Sequence, residues 1–269
     1  MSDRRLFETN DGTRLNVDTA GEGHAVIFQH GLCGDAGQPQ EAFPIEPGFC
    51  RITVEARGHG SSQSGPLERL SIATFADDIA AYIESRLQAP VVVGGISMGA
   101  AIALRLAVKR PDLVKTLILA RPAWVTAAAP DNMMPNAEVG RLLETMPPAE
   151  AKAAFLAGPI GQRLAAEAPD NLASLTGFFA RQPIAVTAAL LTAISNDGPG
   201  VTEEEVSRIA VPTLVIGHEQ DAIHPIAYAR ALAERIPKAR FEQITPKTDS
   251  RAQYVADFRH AMRTFLKEL

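Results

Sequence analysis

A serine stands between two glycines in Gly95-Ile96-Ser97-Met98-Gly99, directly after the β-branched run Val91-Val92-Val93 and just before Ala100-Ala101-Ile102-Ala103-Leu104. The run reads as a buried strand and the alanine-rich stretch as a helix, so the serine occupies a strand-to-helix corner. A residue on so sharp a turn is held in a strained backbone conformation, with its hydroxyl lifted clear of the sheet. The flanking glycines let the backbone bend and a neighbouring strand approach. The positive N-terminal end of the following helix favours negative charge developing at the same spot. That is the setting a hydroxyl needs to attack a carbonyl carbon. A glycine-rich turn with an incidental serine is the other reading, and the strand before and the helix after count against it.

Further groups with chemistry cluster at the ends of other strand-like runs. Ala25-Val26-Ile27-Phe28 leads to Gln29-His30-Gly31-Leu32, and Arg51-Ile52-Thr53-Val54 leads to Glu55-Ala56-Arg57-Gly58-His59-Gly60-Ser61-Ser62. Pro212-Thr213-Leu214-Val215-Ile216 leads to Gly217-His218-Glu219-Gln220-Asp221-Ala222-Ile223-His224-Pro225. The remaining elements follow by the same signals. Residues 6–10 and 13–18 read as a hairpin around Asn10-Asp11-Gly12. Ile72, Phe75, Ile79, Ile83 and Leu87 fall at helical spacing in residues 71–87, with Asp77 and Asp78 on the other side. A strand at 114–119, a helix at 226–235, a strand at 239–244 and a closing helix at about 251–268 complete the alternation. Alternating strands and helices predict an α/β fold, a mostly parallel eight-stranded sheet with helices on both faces and ligands at the carboxyl ends of its strands.

Between residues 123 and 205 the strand-like runs stop, and short helical segments are punctuated by Pro135, Pro147-Pro148, Pro159, Pro169 and Pro183. The expected organisation is a core of residues 1–122 and 206–269 with a helical insertion at 123–205 lying over the sheet. The net charge of −5 and the lack of a basic run argue against nucleic acid as a partner. Met1-Ser2-Asp3-Arg4-Arg5 has no apolar stretch behind it, so no signal peptide is expected. The most apolar helix carries Arg105 and Lys109, which excludes it as a membrane span. Two cysteines, Cys33 and Cys50, make no disulfide framework, and no Cys/His spacing suits zinc. The expectation is therefore a cytoplasmic protein with no metal, no cofactor, no membrane partner and a small-molecule substrate; its oligomeric state is not legible.

With these four strand-end motifs in this order, the chain resembles the alpha/beta-hydrolase family nearly end to end. The resemblance implies that Ser97 is the nucleophile and that the backbone N–H groups of Met98 and Leu32 form an oxyanion hole. It also implies that Asp221 is the acid that orients the base, and that the insertion at 123–205 is a cap shaping substrate choice. The alternative acid position, after the sixth strand, holds Arg121-Pro122. A serine at the corner separates the chain from the branches that use an aspartate there for haloalkane dehalogenation or epoxide hydrolysis.

One part of the pattern is missing. The family's base is a histidine after the last strand, where this chain has Thr245-Pro246-Lys247-Thr248-Asp249-Ser250-Arg251. His260 lies roughly opposite Phe258 on the closing helix at about 100° per residue, on its solvent side. His24 is expected at the surface, and His30 and His59 are expected to hydrogen-bond their loops. His218 and His224 flank Asp221; His224 is the first to test as a displaced base, with loop packing as its expected role. Lys247 could act as a base if buried, although an exposed, charged lysine is the expectation. The base is thus left unknown. The expected function is serine hydrolysis of a small ester, lactone or related carbonyl compound. The alternative is a triad-deficient receptor, carrier or lyase-like enzyme. Trp124, Phe178 and Phe179 suit either an apolar pocket or helix packing, and Arg121, Arg181 or Arg57 could meet a substrate carboxylate.

Overall fold

The computed structural model describes residues 3–44 and 46–269; Met1 and Ser2, part of the segment read as lacking a leader, lie outside them. Eight strands form one sheet: β1 (Asp3–Glu8), β2 (Arg14–Gly21), β3 (Gly23–Gln29), β4 (Gly48–Val54), β5 (Val91–Ile96), β6 (Val114–Ala120), β7 (Thr213–Gly217) and β8 (Ala239–Gln243). Their order is β1-β2-β4-β3-β5-β6-β7-β8. The hairpin β1–β2 and the pair β2–β4 are antiparallel, and every other neighbouring pair is parallel. The fold is therefore the mostly parallel eight-stranded α/β sheet that the alternation predicts.

Side chains of the central strands alternate between two apolar layers, as the period of two requires. Ile27, Val93, Leu117, Leu119 and Val215 point into one layer, and Val26, Phe28, Val92, Ile118, Leu214 and Ile216 point into the other. The first layer is covered by α2 (Ile72–Arg86), α3 (Met98–Lys109) and α10 (Ile226–Arg235). The second is covered by α1 (Gly37–Ala42) and α11 (Arg251–Leu266), whose stripe Tyr254, Phe258, Ala261, Met262 and Phe265 faces the sheet. Burial on both faces explains why these strands read as unbroken apolar runs.

Six helices fill the connection between β6 and β7: α4 (Met134–Thr145), α5 (Pro148–Ala157), α6 (Pro159–Glu167), α7 (Pro169–Gly177), α8 (Ile184–Ser195) and α9 (Glu203–Ser207). Proline stands at the first position of α5, α6 and α7, where its missing N–H costs no helical hydrogen bond. Phe155, Leu175, Phe179, Leu190 and Leu191 join these helices to the layer beneath them. Trp124 is buried, and its indole N–H donates to the Asp197 carbonyl at 2.9 Å.

One helix face departs from the expectation. Asp78 is not on a solvated side: it is buried and bonds Arg57 Nε at 2.7 Å, while Arg57 Nη1 reaches Asp11 at the same distance. The guanidinium stitches the β1–β2 turn, the loop after β4 and α2 together, so it braces its own loop and does not face a ligand. No helix among the described residues is long and apolar enough to cross a membrane. Cys33 is a free thiol.

Candidate active site

Ser97 follows β5 with φ 57° and ψ −112°, a backbone conformation that costs on the order of 1–3 kcal/mol and persists only where packing enforces it. Here the enforcement is visible. A Cβ on Gly99 would lie 2.5 Å from the Gln29 carbonyl oxygen, and one on Gly95 would lie 2.6 Å from the Gly99 carbonyl carbon. Only glycine lets β3 approach the corner this closely. The Ser97 N–H donates to Ala120 O at 3.0 Å, tying the corner to β6. Met98 opens α3, so its amide is among the first-turn donors with no intrahelical acceptor.

The Ser97 hydroxyl lies 2.9 Å from His224 Nε2. On the other side of the ring, His224 Nδ1 lies 2.9 Å and 3.0 Å from the two carboxylate oxygens of Asp221. Two acceptors at Nδ1 require the proton there, so Nδ1–H donates to Asp221 and Nε2 accepts from the Ser97 hydroxyl. This corrects the expectation of mere loop packing for His224. The ring enters from the loop after β7, three residues beyond Asp221. Asp221 shapes that loop itself, since its Oδ1 also accepts the backbone N–H groups of Ile223 and His224 at 3.2 and 3.1 Å.

Asp221 is clamped further by residues outside its loop. Arg121, at the end of β6 with φ 45°, donates to Asp221 Oδ2 from Nη2 at 2.5 Å and from Nε at 3.1 Å. Asn171, on α7, donates from Nδ2 to Asp221 Oδ1 at 2.9 Å and accepts the Ala222 N–H at 2.8 Å. The arginine at the alternative acid position is thus the counterion of Asp221. Asn171 carries no signal in the sequence; only the packing of α7 over the sheet brings it here.

These contacts set the charges. Burial alone would raise the Asp221 pKa, but the charges of His224 and Arg121 and their hydrogen bonds hold it well below the usual carboxylate range. Burial lowers the pKa of His224, and the Arg121 charge adds to this, together outweighing the Asp221 carboxylate. Arg121 Nη2 lies 3.1 Å from His224 Nδ1, but both nitrogens aim protons at one carboxylate, so this is a contact of two donors. The imidazole is therefore neutral at neutral pH, with Nε2 free to take a proton. His218 is buried and donates from Nδ1 to the Glu219 carbonyl at 2.7 Å; burial, then Arg121, pushes its pKa down to about 4.

The loop after β3 faces the serine. Gly31 N–H donates to Gln38 Oε1 at 2.6 Å, and the Cys33 carbonyl accepts from Arg181 Nε at 3.2 Å, so the loop carrying Leu32 is pinned from both sides. Arg181 also donates to the Gly58 carbonyl and to Thr187, which uses it as a brace. His30 and His59 are buried and bond backbone carbonyls at 2.8 and 2.9 Å, and His24 and His260 are exposed. Lys247 departs from the expectation of an exposed lysine. It is half-buried, its ammonium lies 4.8 Å from the Tyr254 ring centre, and burial followed by the Arg121 charge pulls its pKa down to about 8.

A cavity of about 120 Å³ opens beside the serine, lined by Leu32, Ser97, Asn136, Phe178, His224 and Lys247 among others. Phe178 faces it, while Phe179 packs on Phe155 behind it. Among the described residues no cluster of His, Cys, Asp and Glu could hold a metal ion. A hydroxyl bonded to a neutral imidazole, itself fixed by a carboxylate, can lose its proton as the oxygen attacks a carbon electrophile.

Comparison with known proteins agrees with this architecture. The chain is 31% identical over 240 residues to the pimeloyl-[acyl-carrier protein] methyl ester esterase of Chromobacterium violaceum, covering 84% of this chain and 87% of that protein. Among solved structures, the N-acyl homoserine lactone degrading enzyme Est816 is similar at 26% identity and TM-score 0.71, over 97% of this chain and all of that one (100%). A bromoperoxidase from Bacillus anthracis is similar at 21% identity and TM-score 0.75, over 98% and 100% of the two chains, a likeness of fold. Residues 24–248 match the model described as alpha/beta hydrolase fold, and with the serine corner and the sheet around it this chain belongs to the alpha/beta hydrolase family.

Proposed function

We propose that the protein is a serine hydrolase of a small ester, lactone or related carbonyl compound, with Ser97 as nucleophile, His224 as general base and Asp221 as the acid orienting it. The observation that carries the reading is the continuous relay from the Ser97 hydroxyl through His224 to Asp221, each step at hydrogen-bond distance. The neutral state of His224 supports it, because a base must be unprotonated before it acts. Hydrolases among the similar proteins support it as well.

In this reading Ser97 Oγ bonds to the substrate carbonyl carbon as its proton passes to His224 Nε2. The carbonyl oxygen becomes an oxyanion held by the N–H groups of Met98 and Leu32. Collapse breaks the bond to the leaving alkoxide, which takes the proton from Nε2 and departs, leaving an acyl-serine. Water then gives a proton to the same nitrogen, its oxygen bonds to the acyl carbon, and the second collapse returns the proton to Ser97 Oγ and frees the acid. Helices α4 to α9 act as the cap and enclose the acyl chain. A non-hydrolytic receptor or lyase is motivated by the histidine absent after β8, and His224 in reach of the serine favours hydrolysis over it.

The test is active-site labelling with a fluorophosphonate together with hydrolysis of 4-nitrophenyl acetate. Wild type is expected to label and to hydrolyse, and Ser97→Ala to do neither. A folded wild type that neither labels nor cleaves any activated ester overturns the reading.

A further inference from the structure

One charged side chain in the serine cavity has no hydrogen-bond or ion-pair partner among the described residues. Lys247 makes no hydrogen bond or ion pair among the described residues, although it is half-buried and faces the cavity that holds Ser97. The two carboxylates whose charge reaches it are each already matched: Asp221 by Arg121 at 2.5 Å, and Glu41 by Arg251 at 2.6 Å. With Asp221 and Arg121 cancelling and His224 neutral, the inner site carries one uncompensated positive charge. A charge held out of bulk water is normally paired, and one left open beside a reactive hydroxyl is arranged for an anionic ligand that closes it.

We propose that Lys247 forms a subsite for a carboxylate carried on the substrate's acyl chain, the ammonium pairing with it. This rests on the hydrolase reading and narrows its substrate class to monoesters or thioesters of short dicarboxylic acids. Size sets the chain length. A cavity of about 120 Å³ is slightly smaller than one of about 150 Å³ that accepts benzene, so an acyl chain of roughly five heavy atoms beyond the carbonyl fills it. The acyl group is the part enclosed, because the leaving alcohol must depart while the acyl chain is still bonded to Ser97. A pKa of about 8 leaves Lys247 mostly charged at neutral pH.

The experiment compares kcat/KM for mono-4-nitrophenyl glutarate with that for 4-nitrophenyl pentanoate, a neutral ester of the same chain length. In wild type the ratio is expected to favour the glutarate. In Lys247→Met the ratio is expected to fall at least about tenfold, the loss typical of removing one member of a partly buried charge pair, and Lys247→Arg is expected to restore most of it. A ratio unchanged in Lys247→Met overturns the subsite. Calorimetry of glutarate monomethyl ester with Ser97→Ala, and with that variant also carrying Lys247→Met, reads the subsite without catalysis. Lys247-dependent binding with no hydrolysis retains the subsite and rejects the hydrolase reading, whereas equal binding by the two rejects the subsite alone. Should Lys247→Met fail to fold, inhibition of wild type by glutarate but not by 1-pentanol supports the subsite, and equal inhibition by both overturns it.

Discussion

His224 hydrogen-bonds through Nδ1 to the carboxylate of Asp221, a residue only three positions earlier in the same loop after β7. The two side chains therefore sit on one turn, which is closed by the Asp221 carboxylate accepting the backbone N–H groups of Ile223 and His224. The relay depends on one loop meeting Ser97, where the family pattern draws on two.

A relay of this kind acts as a unit, so its members should not contribute additively. Ser97→Ala and His224→Ala are each expected to lower kcat for 4-nitrophenyl acetate by about 10⁴ or more, and the double variant by about the same amount. A steady-state cycle checks this. Near-wild-type activity in His224→Ala would remove the histidine from the mechanism.

The charge of Arg121 disfavours the imidazolium of His224, whose pKa already lies below its ordinary 6.5 because of burial. Catalysis needs the neutral ring, so the acid limb of the kcat/KM–pH profile should lie below pH 6.5. Arg121→Gln takes away the repelling charge, and the limb is expected to move to higher pH. An unmoved limb would mean that Arg121 only holds Asp221 in place.

Asn171 links α7 to the Asp221 loop by bonding both Asp221 Oδ1 and the Ala222 N–H. Asn171→Ala leaves a buried carboxylate short of one donor, a loss of about 1–2 kcal/mol in orientation, and should lower kcat/KM about tenfold. Asn171→Asp places a second carboxylate against the first and should cost more. Kinetics on the folded variants, with melting temperature as control, tests both.

Buried histidines give a sign to the stability profile. His30, His59 and His218 all have folded pKa values below 6.5, burial being the first cause for each, and His218 lies at about 4. Below pH 6.5 the unfolded chain takes up protons that the folded one refuses. Stability is therefore expected to be full above pH 6.5 and to fall from there toward pH 4. Thermal melts across that window check the slope.

The approach of β3 to the serine corner leaves no room at Gly99, where a Cβ would lie 2.5 Å from the Gln29 carbonyl oxygen. Gly99→Ala is expected to destabilise the protein by about 2 kcal/mol or more, seen as a melting temperature lower by several degrees.

Much of this molecule is local in origin and legible as such. Apolar runs bounded by glycine and proline mark the strands, 3.6-residue spacing marks the helices, and Gly95-x-Ser97-x-Gly99 between a strand and a helix marks the corner, because these signals arise within a few neighbouring residues. Asp221 and His224 could likewise be placed at the carboxyl end of β7. What the chain alone left open were distances between parts far apart in it. The separation of 127 positions from Ser97 to His224 carries no signal of how near a ring comes to a hydroxyl. Lys247 looked exposed because nothing around position 247 reveals Tyr254 beneath it, and Asp78 looked solvated because Arg57 comes from another strand end. Asn171 is ordinary until α7 lies across the sheet. Secondary structure follows from short-range propensity and periodicity, but the partner of a buried charge is chosen by packing, so only the assembled sheet and its covering helices decided which histidine met the serine.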